Sequence, residues 1–528
     1  MDRSNRSNSL PANQPVDLPT QEQLLRKARG QFEELTGFLQ THSQQQTRID
    51  RVERGLFSLL LALGRTLLEA FIAGAGGGDD GPQVTRGDRT LQRSEPLHRR
   101  WYHSIFGRLA IWRWVYAPGP KKKIEHVPTD ARLGLPRGEY SYVLEDWLER
   151  LCVKEAFAEG VNGLESLLGI RASVRTAEKL NGRMAEFADP FRLQQPAPPA
   201  GEDETILVAT ADGTSVPIRP EDRRPVPKRA RQESRQESRQ ESLEAGEHDG
   251  RSGTTRRAYV GAVYSIAPFV RQPQDVWDEL FRHKAAEHRP RPQGKRLWTE
   301  MAQTEDQKNT GSAGGSARGS ARVFVQLAVE VSQRDPDRQK TLVCLMDGEA
   351  KLWDLQQSWL GRAVPILDFF HVLKRVREVS RLVQPDRDPQ REAWVSEQVQ
   401  DLLAGRVETV IRRWRRLRRL RRLRRPARRW ARSSRDALES AIGYFANNQH
   451  RMQYGEYLAK GYPIGSGVAE GACRHLVKDR MDGAGMHWRL AGARAMLRTR
   501  ALYLNGEWDE FVEYRIQREQ ENLYQTAA

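Results

Sequence analysis

Cysteine is scarce in this chain: 528 residues carry only Cys152, Cys344 and Cys473, dispersed and in no pair. That scarcity argues against a disulfide framework or a structural zinc site, and it suits a reducing compartment. Long apolar runs are missing too. The most apolar window, Leu56 to Gly74, is interrupted by Arg65 and Glu69 and reads as too short and too charged to span a bilayer. The opening Met1-Asp-Arg-Ser-Asn-Arg lacks the charged-then-apolar layout of a secretory signal. The expectation is a cytoplasmic, nucleoid-associated protein with no membrane partner. Acidic charge is in deficit, with 69 Asp+Glu against 86 Lys+Arg and a formal net charge of +17. Arginine dominates the basic set, which favours contact with a polyanion because its planar fork matches phosphate.

The length calls for several domains. Residues 1–30 are polar and proline-bearing and read as disordered, and 31–75 as amphipathic helices able to oligomerise. A Gly-rich linker covers 76–96. Within 97–189, Phe106 to Tyr116 alternates like strands of a small hairpin or sheet. In the same region, Leu167 to Leu180 has the layout of a helix-turn-helix. Gly169 sits at the turn, Ser173 at an N-cap, and Arg175 and Lys179 lie one turn apart on the second helix. An ordinary helical hairpin would read the same way.

After a proline-rich linker at 190–204, apolar strand-like runs alternate with helical segments across 205–374. Low-complexity inserts interrupt this region at 228–255, where Arg-Gln-Glu-Ser repeats three times, and at 305–320. An all-helical, Arg-rich block at 375–455 precedes final helices at 456–528. The order predicts a mixed α/β fold with a helical insertion.

Three acids stand out by position. The apolar run from Thr205 ends on Asp212-Gly-Thr, the run from Thr341 ends on Asp347-Gly-Glu349, and a Gly465-Ser-Gly turn opens a helix carrying Glu470. Two-metal phosphodiester chemistry needs about three carboxylates converging from different elements. Each has a plainer reading: Asp-Gly is a common turn dipeptide, Glu470 could pair with Arg474, and Glu349 is a bystander beyond its strand. Asp368 and His371 follow the next strand, either capping a helix or lining the site.

These segments resemble the insertion-sequence transposases of the ISKra type. The motifs are Asp212-Gly-Thr, Asp347-Gly-Glu-Ala-Lys-Leu-Trp353, Leu367-Asp-Phe-Phe-His371, Gly461-Tyr-Pro-Ile-Gly-Ser-Gly-Val-Ala-Glu470 and Arg480-Met-Asp-Gly-Ala-Gly-Met-His-Trp488. Gly492-Ala-Arg-Ala-Met-Leu and Asn505-Gly-Glu-Trp508 extend the likeness over roughly residues 95–515. The resemblance implies a DDE transposase with an RNase H-like mixed sheet, distantly similar to Mutator-type elements. It implies Asp212, Asp347 and Glu470 as a catalytic triad holding two Mg²⁺ ions, for which Mn²⁺ can substitute. It also implies double-stranded DNA partners, the terminal inverted repeats and a target, and a homo-oligomer. The alternatives are a sequence-specific DNA-binding protein derived from an inactive transposase, or a structure-selective RNase H-like nuclease.

The run Ile411 to Arg425 sets Trp414, Leu417, Leu420 and Leu423 at every third place among ten arginines. On an α-helix this spacing drifts about 60° per step, so the apolar stripe winds. Ten like charges need solvent or phosphate, and Arg415, Arg418 and Arg422 are the expected DNA-backbone contacts. Arg474 and Lys478, beside Glu470, are further candidates.

Overall fold

The computed structural model describes residues 18–199, 201, 204–222, 254–282, 289–302, 319–383, 390–422 and 432–525. The Arg-Gln-Glu-Ser repeats and residues 305–318 of the second insert lie outside these, as do Leu423 and the side chain of Arg422. The chain forms two compact units, 1–187 with 507–528, and 188–506. The fold is mixed α/β.

The first unit opens on the helices Gln21–Gln44 and Ile49–Ala75. The first begins inside the stretch expected to be disordered. Thr20 accepts from the Gln23 amide while the Gln23 side chain accepts from the Thr20 amide, so a capping box satisfies two otherwise orphaned donors. The second runs for 27 residues and, by length and composition alone, is long and apolar enough to cross a membrane. That corrects the expectation of a segment too short and too charged to do so: the 18 residues from Leu56 to Ala73 carry only Arg65 and Glu69 as charges. Its Leu68 and Ile72 pack against Leu109, Ile111 and Leu135.

The expected linker at 76–96 holds strands β1 (Gln83–Arg86) and β2 (Arg89–Arg93), joined by the two-residue turn Gly87-Asp88. Strands β3 (His98–Ser104) and β4 (Gly107–Arg113) form an antiparallel ribbon, and β5 (Tyr116–Ala117) pairs with β2. Helices Tyr142–Cys152, Phe157–Leu168 and Val174–Ala185 share one core through Leu148, Leu164 and Leu180. Gly169 takes φ +67° to end the second, and Ser173 accepts from the Thr176 amide to start the third. The expected helix-turn-helix outline is present, with Arg175 and Lys179 exposed.

The C-terminal helix Trp508–Gln520 was expected with the final helices of the catalytic region but belongs to this first unit. Arg515 and Glu145 form an ion pair, both buried, and Trp508 Nε1 donates to Asp146 at 2.7 Å. A buried guanidinium needs its carboxylate, and that requirement fixes where the tail packs.

The second unit is built on a five-stranded sheet of β6 (Ile206–Pro217), β7 (Thr255–Ile266), β8 (Gln293–Met301), β9 (Thr341–Met346) and β10 (Val364–Leu367). The spatial order is β10-β9-β6-β7-β8. β6 runs antiparallel to β7 and parallel to β9, and β9 runs parallel to β10. After Thr341, strand β9 is apolar and buried from Leu342 to Met346, as sequence pattern predicts for a central parallel strand covered on both faces. Strand β6 continues past Asp212 to Pro217, five residues beyond its expected end, paired throughout with β7. Of the second insert, Gly319 and Ser320 are helical, opening Gly319–Arg334.

The expected helical block appears as Gln390–Leu403, Val407–Arg422 and Arg432–Asn448. Trp414 is fully buried there, its ring 4.7 Å from that of Phe445 and 6.3 Å from that of Trp394. Helix Leu490–Leu504 is fastened to β8: Arg498 reaches the buried Glu300 at 3.0 Å, and Asn505 accepts from the Leu297 amide.

Candidate active site

The sheet register places the two aspartates. Ile206 lies beside Thr341 and Ala209 beside Cys344 in the parallel β6–β9 pair. That pairing stops at Ala209; Asp212 lies three residues further along β6 and Asp347 one residue past the end of β9, close enough for the charge of Asp347 to act on Asp212. Both carboxylates are half-buried. Burial, and next the charge of Asp347, push the Asp212 carboxyl above its ordinary value, while the Gly213 amide and Cys473 thiol pull it back. Gly213 N donates to Asp212 Oδ1 at 2.6 Å, and Cys473 Sγ lies 3.5 Å from Oδ2.

The loop after β9 is held from both ends. Asp347 Oδ1 accepts from the Glu349 amide at 3.1 Å, and its carbonyl accepts from Trp353 Nε1 at 2.7 Å. A Cβ on Gly348 would stand 2.1 Å from the Tyr444 ring, so only glycine lets that ring approach the loop. Tyr444 itself is raised to about 12, by burial first and by Asp347 next. Glu349 is committed elsewhere: its carboxylate pairs with Arg257 at 2.7 Å. Neither Asp212 nor Asp347 has a Lys or Arg partner among the described residues.

Asp368 is fully buried where β10 ends. Its Oδ1 accepts from the amides of Phe370 (2.6 Å) and His371 (3.0 Å), which caps the helix Phe369–Val383, and its Oδ2 accepts from the Ser466 amide. Burial pushes this carboxyl up, but its bonds to His371 and Ser466 prevail and hold it below the usual carboxylate range. Capping and site-lining were alternatives in the sequence. The structure gives Asp368 the capping role and adds a tie to the Gly-Ser-Gly turn.

That turn opens the short helix Gly467–Ala472, followed by a π-helical turn at Cys473–Lys478. Glu470 projects from the first, more than half exposed, with Oε1 3.8 Å from His371 Nδ1. The same Nδ1 lies 3.6 Å from Asp368, too far for a hydrogen bond, so both contacts become ion pairs when the imidazole is protonated. Asp368 raises His371 above its ordinary value, burial opposes this, and Asp347 and Glu470 add to the rise.

All five residues singled out near the site, Asp212, Asp347, Asp368, His371 and Glu470, thus belong to one electrostatic cluster in the second unit. No group of three His, Cys, Asp or Glu among the described residues is placed as a ready metal cage. Glu470 is turned toward His371.

The basic candidates are scattered. Arg474 lies 3.7 Å from Asp479 rather than on Glu470, and Lys478 is exposed. Arg415 is exposed, whereas Arg418 is paired with Glu439 and Arg413 with Asp401 and Glu397. Sequence reasoning missed Cys473 and Tyr444. The thiol three residues past Glu470 was a usable signal for the first, but nothing in sequence links Tyr444 to Gly348. The chain matches no protein-family model and no curated protein.

Proposed function

We propose that the chain is a DDE transposase that cuts DNA at the ends of its own insertion sequence and joins the freed ends to target DNA. One observation carries the reading: two half-buried aspartates, Asp212 within β6 and Asp347 just past the end of β9, act on each other electrostatically, and neither has a Lys or Arg partner among the described residues. A third carboxylate projects beside them from a turn tied to the same sheet. Leaving like charges together costs stability, so such pairs mark functional sites. The strand order and directions, three antiparallel strands and two parallel ones, agree with an RNase H-like catalytic region.

The donor chemistry fits a hard divalent cation, since carboxylate oxygens with room for water suit Mg²⁺. Asp212 and Asp347 would hold it, and rotation of the exposed Glu470 side chain would add a third ligand. When bound, the metal supplies charge stabilisation and an activated oxygen for phosphodiester displacement. The chain's own residues do the positioning. Gly213 and Glu349 amides orient the two aspartates, and Asp368 anchors the turn from which Glu470 projects. His371 holds the Glu470 carboxylate near the pair. Exposed basic groups on the helices Val174–Ala185 and Val407–Arg422 would meet duplex DNA. Joining two ends calls for more than one copy.

The test is cleavage and strand transfer on duplex DNA carrying the inverted repeats that flank the gene, with Mg²⁺. Asp212→Ala, Asp347→Ala and Glu470→Ala should each abolish both reactions while leaving DNA affinity within about twofold. Full activity in any one of them removes that residue. Cleavage without preference for the repeats would instead indicate a structure-selective nuclease.

A further inference from the structure

The outer face of the β3–β4 ribbon carries a ladder of guanidinium and indole groups. In an antiparallel pair, alternate residues share a face. The register pairs Arg99 with Trp112, Trp101 with Ala110 and His103 with Arg108, so these six lie on one side. The other side, with Leu109, Ile111 and Tyr102, packs into the first unit's core beneath Leu68 and Ile72.

The two faces treat arginine differently. On the inner face, Arg100 and Arg113 both pair with Asp130, at 2.7 and 2.8 Å. On the outer face, Arg99 and Arg108 have no carboxylate partner among the described residues. They rest on tryptophan instead. Arg108 Cζ is 3.6 Å from the Trp101 ring centroid, and Arg99 Cζ is 4.5 Å from the same ring and 5.9 Å from that of Trp112. Arg99 precedes Trp101 by two residues, and Arg108 sits across from His103 two residues after it, so the guanidinium groups flank the indole from opposite ends.

We propose that this face is a binding site for the sugar-phosphate backbone of duplex DNA, separate from the helix-turn-helix and from the Arg-rich helix. The proposal rests on the DNA reading above. Stacking on indole restricts the arginine rotamers before any ligand arrives, and the remaining N–H donors match phosphate oxygens in a fork. With guanidinium lying against Trp101, the ring acts as a platform for the cations rather than as a stacking surface for a base. The contact therefore adds affinity and register without sequence preference.

The test uses the full chain with Asp212→Ala, to prevent cutting, and a fluorescein-labelled duplex of arbitrary sequence titrated at several salt concentrations. Arg99→Gln with Arg108→Gln should weaken binding at least about tenfold and reduce the slope of log affinity against log salt by nearly two. Trp101→Leu should weaken binding several-fold with every charge retained. Arg108→Gln alone, at an exposed position, decides the matter if the double variant melts early, and should take about one from the slope. Wild-type affinity and slope in that variant, with the parent protein binding normally, overturn the ribbon site and leave the transposase reading standing. A parent protein that binds no duplex at all overturns both. Loss of binding confined to an RNA probe overturns the DNA assignment.

Discussion

Asp212 shows what the candidate site costs the fold. Its carboxyl titrates above the usual range because burial and Asp347 both disfavour the charge. The folded state therefore holds this proton more tightly than the unfolded chain does. Stability falls as pH rises from the unfolded value through the folded one, so the ionised form of Asp212 is a net penalty to the fold. Asp212→Asn should raise the metal-free protein's stability at pH 7 by about 1 kcal/mol, the scale of a partly screened like-charge contact. Thermal melts in a chelator would show it, and the gain should vanish below about pH 4. A loss of stability at pH 7 would refute the repulsion. Asp368 has the opposite sign. Held below its ordinary value, it stabilises the fold above the unfolded carboxylate range, and that contribution is lost as pH falls through its folded value. Asp368→Asn should cost about 2 kcal/mol at neutral pH, because a charged acceptor of three backbone donors is replaced by a neutral one. The difference from the parent should close in acid.

At the scale of an element, the helix Val407–Arg422 divides its labour between faces. Trp414 is core, stacked among Trp394 and Phe445, whereas Arg415 points to solvent. Trp414→Ala should destabilise the second unit by about 3–5 kcal/mol in a denaturant titration. Neutralising Arg415 should leave stability unchanged, weaken binding to all duplexes alike and flatten the salt dependence. Loss confined to the terminal repeats would exclude a backbone contact. Arg418 is a weaker candidate than the sequence suggests, since Glu439 already neutralises it. The helix-turn-helix segment was legible for local reasons: Gly169 and Ser173 dictate the break and restart without help from distant residues. Strand β8 was not, because Gln293–Met301 begins with polar residues and its burial comes from the neighbouring β7 and the helix Leu490–Leu504.

For the whole molecule, the chain leaves the first unit, builds the second from one continuous stretch, and returns. Ending the chain at residue 506 should therefore harm the first unit, not the second. Glu145 would keep its Arg183 contact but lose Arg515. Limited proteolysis should show residues 18–187 losing protection while 188–506 melts as before. Unchanged protection of both would show that the tail is dispensable.

What the sequence determined alone was everything with a local physical cause. It set the apolar runs at β6, β9 and β10, the caps and breaks of the helices, the excess of arginine, and the three acids themselves. Only the tertiary structure decided which of these meet. The parallel pairing of β6 with β9 brings Asp212 within reach of the Asp347 charge, and a buried Asp368 ties the Gly-Ser-Gly turn to the sheet. Arginines that look alike in sequence part company once folding places a carboxylate beside some and an indole beside others. Long-range pairing depends on strand register and burial, and neither is encoded in any single window of the chain.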